Sequence, residues 1–96
     1  MKAQFELEFL EQVTETLRAI AHPIRLAIVD LLKKNEQLSV TEIYEQLSIE
    51  QAVASHHFRI LKDKKVVTVQ REQKFSLYSL RNPRFHEIIE IMKDVL

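Results

Sequence analysis

Apolar residues recur at helical spacing along most of this chain and at strand-like spacing in one stretch near its end. Phe5, Phe9, Val13, Leu17 and Ile20 form one stripe, with Leu7 and Leu10 beside it, which predicts an amphipathic helix from about Gln4 to Ala21. A second helix begins at His22-Pro23 and runs through Lys34. Its Ile24, Leu26, Ala27, Ile28, Leu31 and Leu32 make it apolar nearly all round, the pattern of a central core helix. His22 is the expected cap of that helix, ahead of Pro23. Val40, Ile43, Tyr44 and Leu47 mark a short third helix. Ser39 and Thr41 both suit its start, and Glu42 lies three residues after Ser39, the spacing of a capping box. Ser48, Ile49 and Glu50 form a turn with Ile49 as its plug, and a fourth helix follows as far as Asp63. That helix turns Ala54, Phe58 and Leu61 to one side and Gln51, Ala52, Ser55, His56, Arg59, Lys62 and Asp63 to the other. Between about residues 66 and 80 the pattern becomes two β-runs separated by three polar residues. Asn82 is the expected cap, and Pro83 the start, of a last helix to Leu96 that carries Phe85, Ile88, Ile89, Ile91, Met92, Val95 and Leu96.

The expected fold class is mainly α with a small β-hairpin: four helices, the hairpin, then a fifth helix. A helix-turn-helix at about 40–63 followed by a hairpin at about 66–80 is a winged helix, whose usual work is to set the second helix of the pair in a DNA major groove. An apolar back and a front of short or hydrogen-bonding side chains suit that work, although an ordinary surface helix has the same division. Charge placement favours the DNA reading. Fourteen Lys and Arg balance fourteen Asp and Glu over the whole chain, yet residues 1–50 carry five basic and nine acidic side chains, a net of −4. Residues 51–74 carry Arg59, Lys62, Lys64, Lys65, Arg71 and Lys74 against Asp63 and Glu72, a net of +4. Positive charge thus gathers on the fourth helix and the wing, where phosphates would lie.

Ninety-six residues suffice for one core, so residues 1–96 are read as a single winged-helix domain. The absence of cysteine removes disulfides, thiol redox sensing and thiolate metal sites. The N-terminus is too acidic for a signal peptide and no apolar run reaches membrane-spanning length, so the expected location is the cytoplasm. Ser55 with His56 or His57 lacks a third orienting group, and no glycine-rich loop exists to hold a phosphate. No catalytic residue and no cofactor are therefore assigned. The helices at about 4–21 and 83–96 carry more apolar surface than a domain of this size can bury. A second copy is expected to cover the surplus in a two-fold dimer, with Phe5, Phe9, Val13, Phe85, Ile88, Ile89 and Met92 at the interface. Part of those stripes also serves as core.

The segment LRAIAHPIRLAIVDLL (Leu17 to Leu32), the run EQLSIEQAVASHHFRILKDKKVV and the hairpin REQKFSLYSL together resemble the ArsR/SmtB family of bacterial winged-helix repressors. The resemblance covers about residues 14 to 82, and nearly the whole chain once the flanking helices are added. Its most specific parts are Pro23 with Arg25, Ser55 with His57, and Tyr78-Ser79-Leu80. It implies a homodimer built from the first and last helices that binds an inverted-repeat operator in double-stranded DNA and represses transcription until an effector releases it. Carried over position by position, Gln51, Ala52, Val53, Ser55 and His56 face bases. Gln51 suits a bidentate pair with adenine, and Ala52 and Val53 suit thymine methyl groups. Ser55 and Thr41 suit phosphates equally. Arg59 is expected near the backbone, and Arg71, Gln73 and Lys74 at the wing tip are expected to reach phosphates or the minor groove. His57 is expected to be half-buried and structural.

Three features depart from that family. The chain has no glycine, whereas relatives place one where Lys65 stands and another near Gln73. Positive φ is therefore expected at Lys64 or Lys65 and at one of Glu72 to Lys74. Ile43 and Glu45 occupy the positions of two metal-binding cysteines, and Asn82, Arg84 and Val95 occupy those of a second metal site, so no metal ligand is assigned. His86 and Glu90, four apart on one helix face, suit either a helix-stabilising pair or a metal shared across the dimer, and the former is the expectation. Two alternatives stay open. One is a metal-responsive repressor with a His/carboxylate site. The other is a winged helix turned to protein contact, which should expose large apolar groups where Gln51, Ser55, His56 and Arg59 stand.

Overall fold

A computed structural model describes residues 2–96. Helix α1 spans Leu7–Ile20, three residues shorter at its start than the apolar stripe predicts. Gln4 and Phe5 offer no capping side chain, Glu6 is extended and makes no cap, and the Phe5 ring instead lies 5.4 Å from that of Phe9. Helix α2 spans Pro23–Asn35, with His22 as its cap: the Ile24 N–H donates to His22 Nδ1 at 3.1 Å. The chain then reverses in a γ-turn centred on Glu36 (φ 58°, ψ −50°), where the Gln37 N–H donates to the Asn35 carbonyl.

An element that the sequence pattern does not predict follows. Leu38–Ser39 form a two-residue strand, β1, both residues buried. Two residues are too few for an alternating pattern to register, and only pairing with the distant hairpin defines them. Ser39 passes directly into helix α3, Val40–Leu47, through a complete capping box. The Glu42 N–H donates to Ser39 Oγ at 3.1 Å and the Ser39 N–H to Glu42 Oε1 at 3.0 Å. Ser48 in the left-handed region and half-buried Ile49 make the turn into α4, Gln51–Asp63.

The hairpin comprises β2, Val67–Glu72, and β3, Phe75–Leu80, in antiparallel register from Val67 opposite Leu80 to Glu72 opposite Phe75. Its loop is two residues, Gln73 and Lys74, rather than three. Gln73 alone has positive φ (53°), as in a type II′ turn, where glycine is usual. The sheet therefore has three strands in the order β1-β3-β2. Pro83–His86 form a 3-10 turn, capped by Asn82 Oδ1 accepting from the Arg84 N–H at 2.9 Å, and α5 proper spans Glu87–Val95. The expected single helix from Pro83 is thus a 3-10 turn followed by an α-helix, as is common at helix starts.

The core collects Ile20, Ile28, Val29, Leu32, Leu38, Ile43, Ala54, Phe58, Leu61, Val66 and Val67 around α2. Phe58 is buried with its ring 4.3 Å from that of Tyr78, which ties the back of α4 to the sheet. Burying a side chain of that size stabilises by about 2–3 kcal/mol. That attachment fixes which way α4 faces.

Candidate nucleic-acid interface

With Ala54, His57, Phe58 and Leu61 turned inward, the 100° step of an α-helix turns Gln51, Ala52, Val53, Ser55, His56 and Arg59 outward, and all six are exposed. One Arg59 terminal nitrogen donates to His56 Nδ1 at 3.3 Å, so the two side chains lie together on that front. Thr41 is exposed in the first turn of α3, and Arg71, Gln73 and Lys74 are exposed on the wing. Arg71 lies on β2 opposite Ser76, with Glu72 between it and the Gln73–Lys74 tip where the family resemblance puts it. Thr41 and Gln73 line one recess of about 770 Å³ with Ser39, Glu42, Glu72, Phe75 and Leu77, so the start of α3 and the wing tip face a common space. Phe75 is 62% exposed in that recess, and no sequence signal separates it from an inward strand residue.

Behind this front, His57 is 7% exposed, more enclosed than expected, with its ring 4.3 Å from that of His22 and 5.2 Å from that of His56. Burial, with His22, Arg25 and His56 adding positive charge nearby, holds its pKa below the ordinary histidine value. On the opposite side, His86 joins two elements: Nδ1 meets Glu90 Oε1 at 2.8 Å and Nε2 meets Asp30 Oδ1 at 2.7 Å. His86 and Glu90 thus make the helix-stabilising pair, while Asp30 comes from α2, fifty-six residues away, and no local pattern points to it. Hydrogen bonds from Lys34, then from His86, lower the Asp30 pKa below 3.8. Among the described residues, no group of three or more His, Cys, Asp or Glu side chains is arranged to hold a metal ion.

The surplus apolar surface is real but differently distributed than expected. Phe5, Phe9 and Met92 are exposed, as the interface assignment requires. Val13, Phe85, Ile88 and Ile89 are only half-exposed, and the last three pack against this chain's own core. Leu7, Leu17, Ile91 and Val95, which the assignment left out, are exposed instead. No helix among the described residues is long and apolar enough to cross a membrane.

A family model described as a helix-turn-helix domain matches residues 20–70. An HTH-type transcriptional regulator of Methanocaldococcus jannaschii is 32% identical over 93% of this chain and 100% of its own. The transcriptional repressor PagR of Bacillus anthracis is 34% identical over 96% of this chain and 92% of its own. Its crystal structure superposes with a TM-score of 0.81 at 36% identity, covering 91% of this chain and 99% of PagR. The transcriptional repressor SmtB of Mycobacterium tuberculosis is 36% identical over 93% of this chain and 63% of its own.

Proposed function

The chain belongs to the ArsR/SmtB family of winged helix-turn-helix regulators, and on that footing we propose that it is a homodimeric repressor of transcription that reads an inverted-repeat operator in double-stranded DNA. The observation that carries this reading is the front of α4: six exposed side chains, small or polar except Val53, on a helix whose back is locked by Phe58. A surface built for a protein partner would instead present large apolar groups there. Gln51, Ala52, Val53, Ser55 and His56 then face bases. Thr41, Arg59, Arg71, Gln73 and Lys74 hold phosphates or enter the minor groove. The exposed apolar stripes of α1 and α5 pair with a second copy, which sets two reading helices on the two halves of the operator. Residues 1–96 act in this reading as one DNA-binding unit in the cytoplasm. Ile43 and Glu45, and Asn82, Arg84 and Val95, do not rebuild the family's two metal sites, so DNA binding in this reading does not depend on them.

Selection of binding sites from a random DNA pool in the presence of chelator is the direct test, and it should return an inverted repeat. On that sequence, Arg59→Ala or Lys74→Ala should weaken binding to all duplexes and flatten the salt dependence by about one unit of slope for each phosphate no longer held. Gln51→Ala should cost about 1–3 kcal/mol at particular base pairs only. No enriched sequence would count against DNA as the partner, and an unchanged slope in either cationic variant would remove that residue from the interface.

A further inference from the structure

Arg25 is a cation without a counter-ion. It stands third in α2 and is half-buried. Its Nε is sealed from solvent with no hydrogen-bond partner, and none of the ion pairs among the described residues includes it. The first turn of α2 contains no acidic residue, and the positive end of a helix repels a guanidinium placed there. The surroundings deepen this imbalance. The His22 ring lies 4.3 Å from that of His57, and the His57 ring 5.2 Å from that of His56. His57 is more than nine-tenths buried, and its Nδ1 also lacks a partner. His22 commits Nδ1 to the Ile24 N–H, which leaves Nε2–H as its free donor. The groups that act electrostatically on His57 are His22, Arg25 and His56, with no carboxylate among them.

Arg25 Nε and His57 Nδ1 are sealed from solvent, so what an incoming group can neutralise is the charge of the guanidinium through its more accessible nitrogens. We propose that His22 and Arg25 at the start of α2, backed by His57 of α4, form an anion site that takes a phosphate group. The guanidinium nitrogens other than Nε, which are not sealed off, are the donors that reach it, with the His22 Nε2–H and the helix end beside them. The phosphate has two possible sources, the DNA backbone and free phosphate. His56 connects the cluster to the exposed front of α4, so a backbone phosphate flanking the reading helix is the favoured one. That choice of source rests on the DNA reading, whereas the anion site itself does not.

The test uses the full chain, Arg25→Gln, and Lys74→Ala as a reference, each checked for folding by circular dichroism. If the backbone supplies the phosphate, Arg25→Gln should lower affinity about tenfold on every duplex and reduce the salt slope by about one. If free phosphate is the ligand, inorganic phosphate at millimolar concentration should move the His22 and His57 imidazole resonances in the parent chain and not in Arg25→Gln, with the DNA slope unchanged. Should Arg25→Gln not fold, His22→Asn keeps the helix cap, removes the Nε2 donor and is read in the same two ways. If the folded variant changes neither the slope nor the phosphate response while Lys74→Ala lowers the slope, the anion site is refuted and DNA binding stands. A chain that binds no DNA leaves the phosphate titration to decide the cluster alone.

Discussion

Lys65 (φ 61°) and Gln73 (φ 53°) take the left-handed conformation that a side chain's Cβ disfavours, in a chain that contains no glycine. Each position needs positive φ for a local reason: one ends α4, and the other opens the two-residue wing loop. Lys65→Gly and Gln73→Gly should each stabilise the fold by about 0.5–1 kcal/mol, read as a higher urea midpoint at constant m-value. A lower midpoint would mean that those side chains make interactions worth more than the backbone cost. Both positions are legible because a helix end and a tight hairpin loop call for positive φ by their local geometry. Glu36 is not, although it also has positive φ (58°), because its γ-turn is imposed by the need to bring α2 into β1. The same distinction separates His22 from His86. The cap by His22 spans two residues and can be read off the His-Pro dipeptide, whereas the Asp30 partner of His86 exists only once α5 lies on α2.

Helices announce themselves wherever one long face is apolar, and α4 is legible for that reason, front and back together. The faces of α1 and α5 are harder, because an apolar stripe does not say whether it meets this chain or another. The structure divides them: Phe85, Ile88 and Ile89 turn to the core, while Leu7, Leu17, Ile91 and Val95 stay exposed. A dimer formed through these helices predicts that Leu17→Glu and Ile91→Glu each shift the protein to monomer in analytical ultracentrifugation, with secondary structure retained. Operator affinity should fall at least about tenfold, because each half-site must then be bound without its partner's help. Sedimentation unchanged in both variants would place the interface elsewhere. The strand β1 escapes the sequence pattern altogether, since nothing within two residues distinguishes it from a loop. Its partner in β3 lies forty positions further on, Leu38 opposite Tyr78.

Packed together, these elements place His57 where its charged form is disfavoured, with consequences for the stability of the entire fold. Burial and the neighbouring His22, Arg25 and His56 keep its pKa below 6.5, so the unfolded chain takes up a proton there sooner than the folded one as pH falls. Stability should therefore decline as pH drops through about 6.5 toward the lowered native value, and His57→Gln should flatten that decline in urea titrations between about pH 7 and 5. An unchanged slope would assign the decline to other groups. The Asp30 carboxylate acts lower on the scale. Its pKa is depressed by Lys34 and His86, so the stability it contributes is present above about 3.8 and lost as pH falls through the native value. Ser39 adds a constraint of another kind. It is a β1 residue opposite Leu77 and, in the same position, the cap of α3, so sheet and reading unit share one residue with no slack between them. An insertion beside Ser39 would either slip the strand register or uncap the helix. The Gln73–Lys74 tip has no such double duty, and extra residues there would change the wing's reach while leaving the seat of α4 untouched. Natural variation in length should accordingly collect at the wing tip, and engineered changes in DNA reach belong there as well.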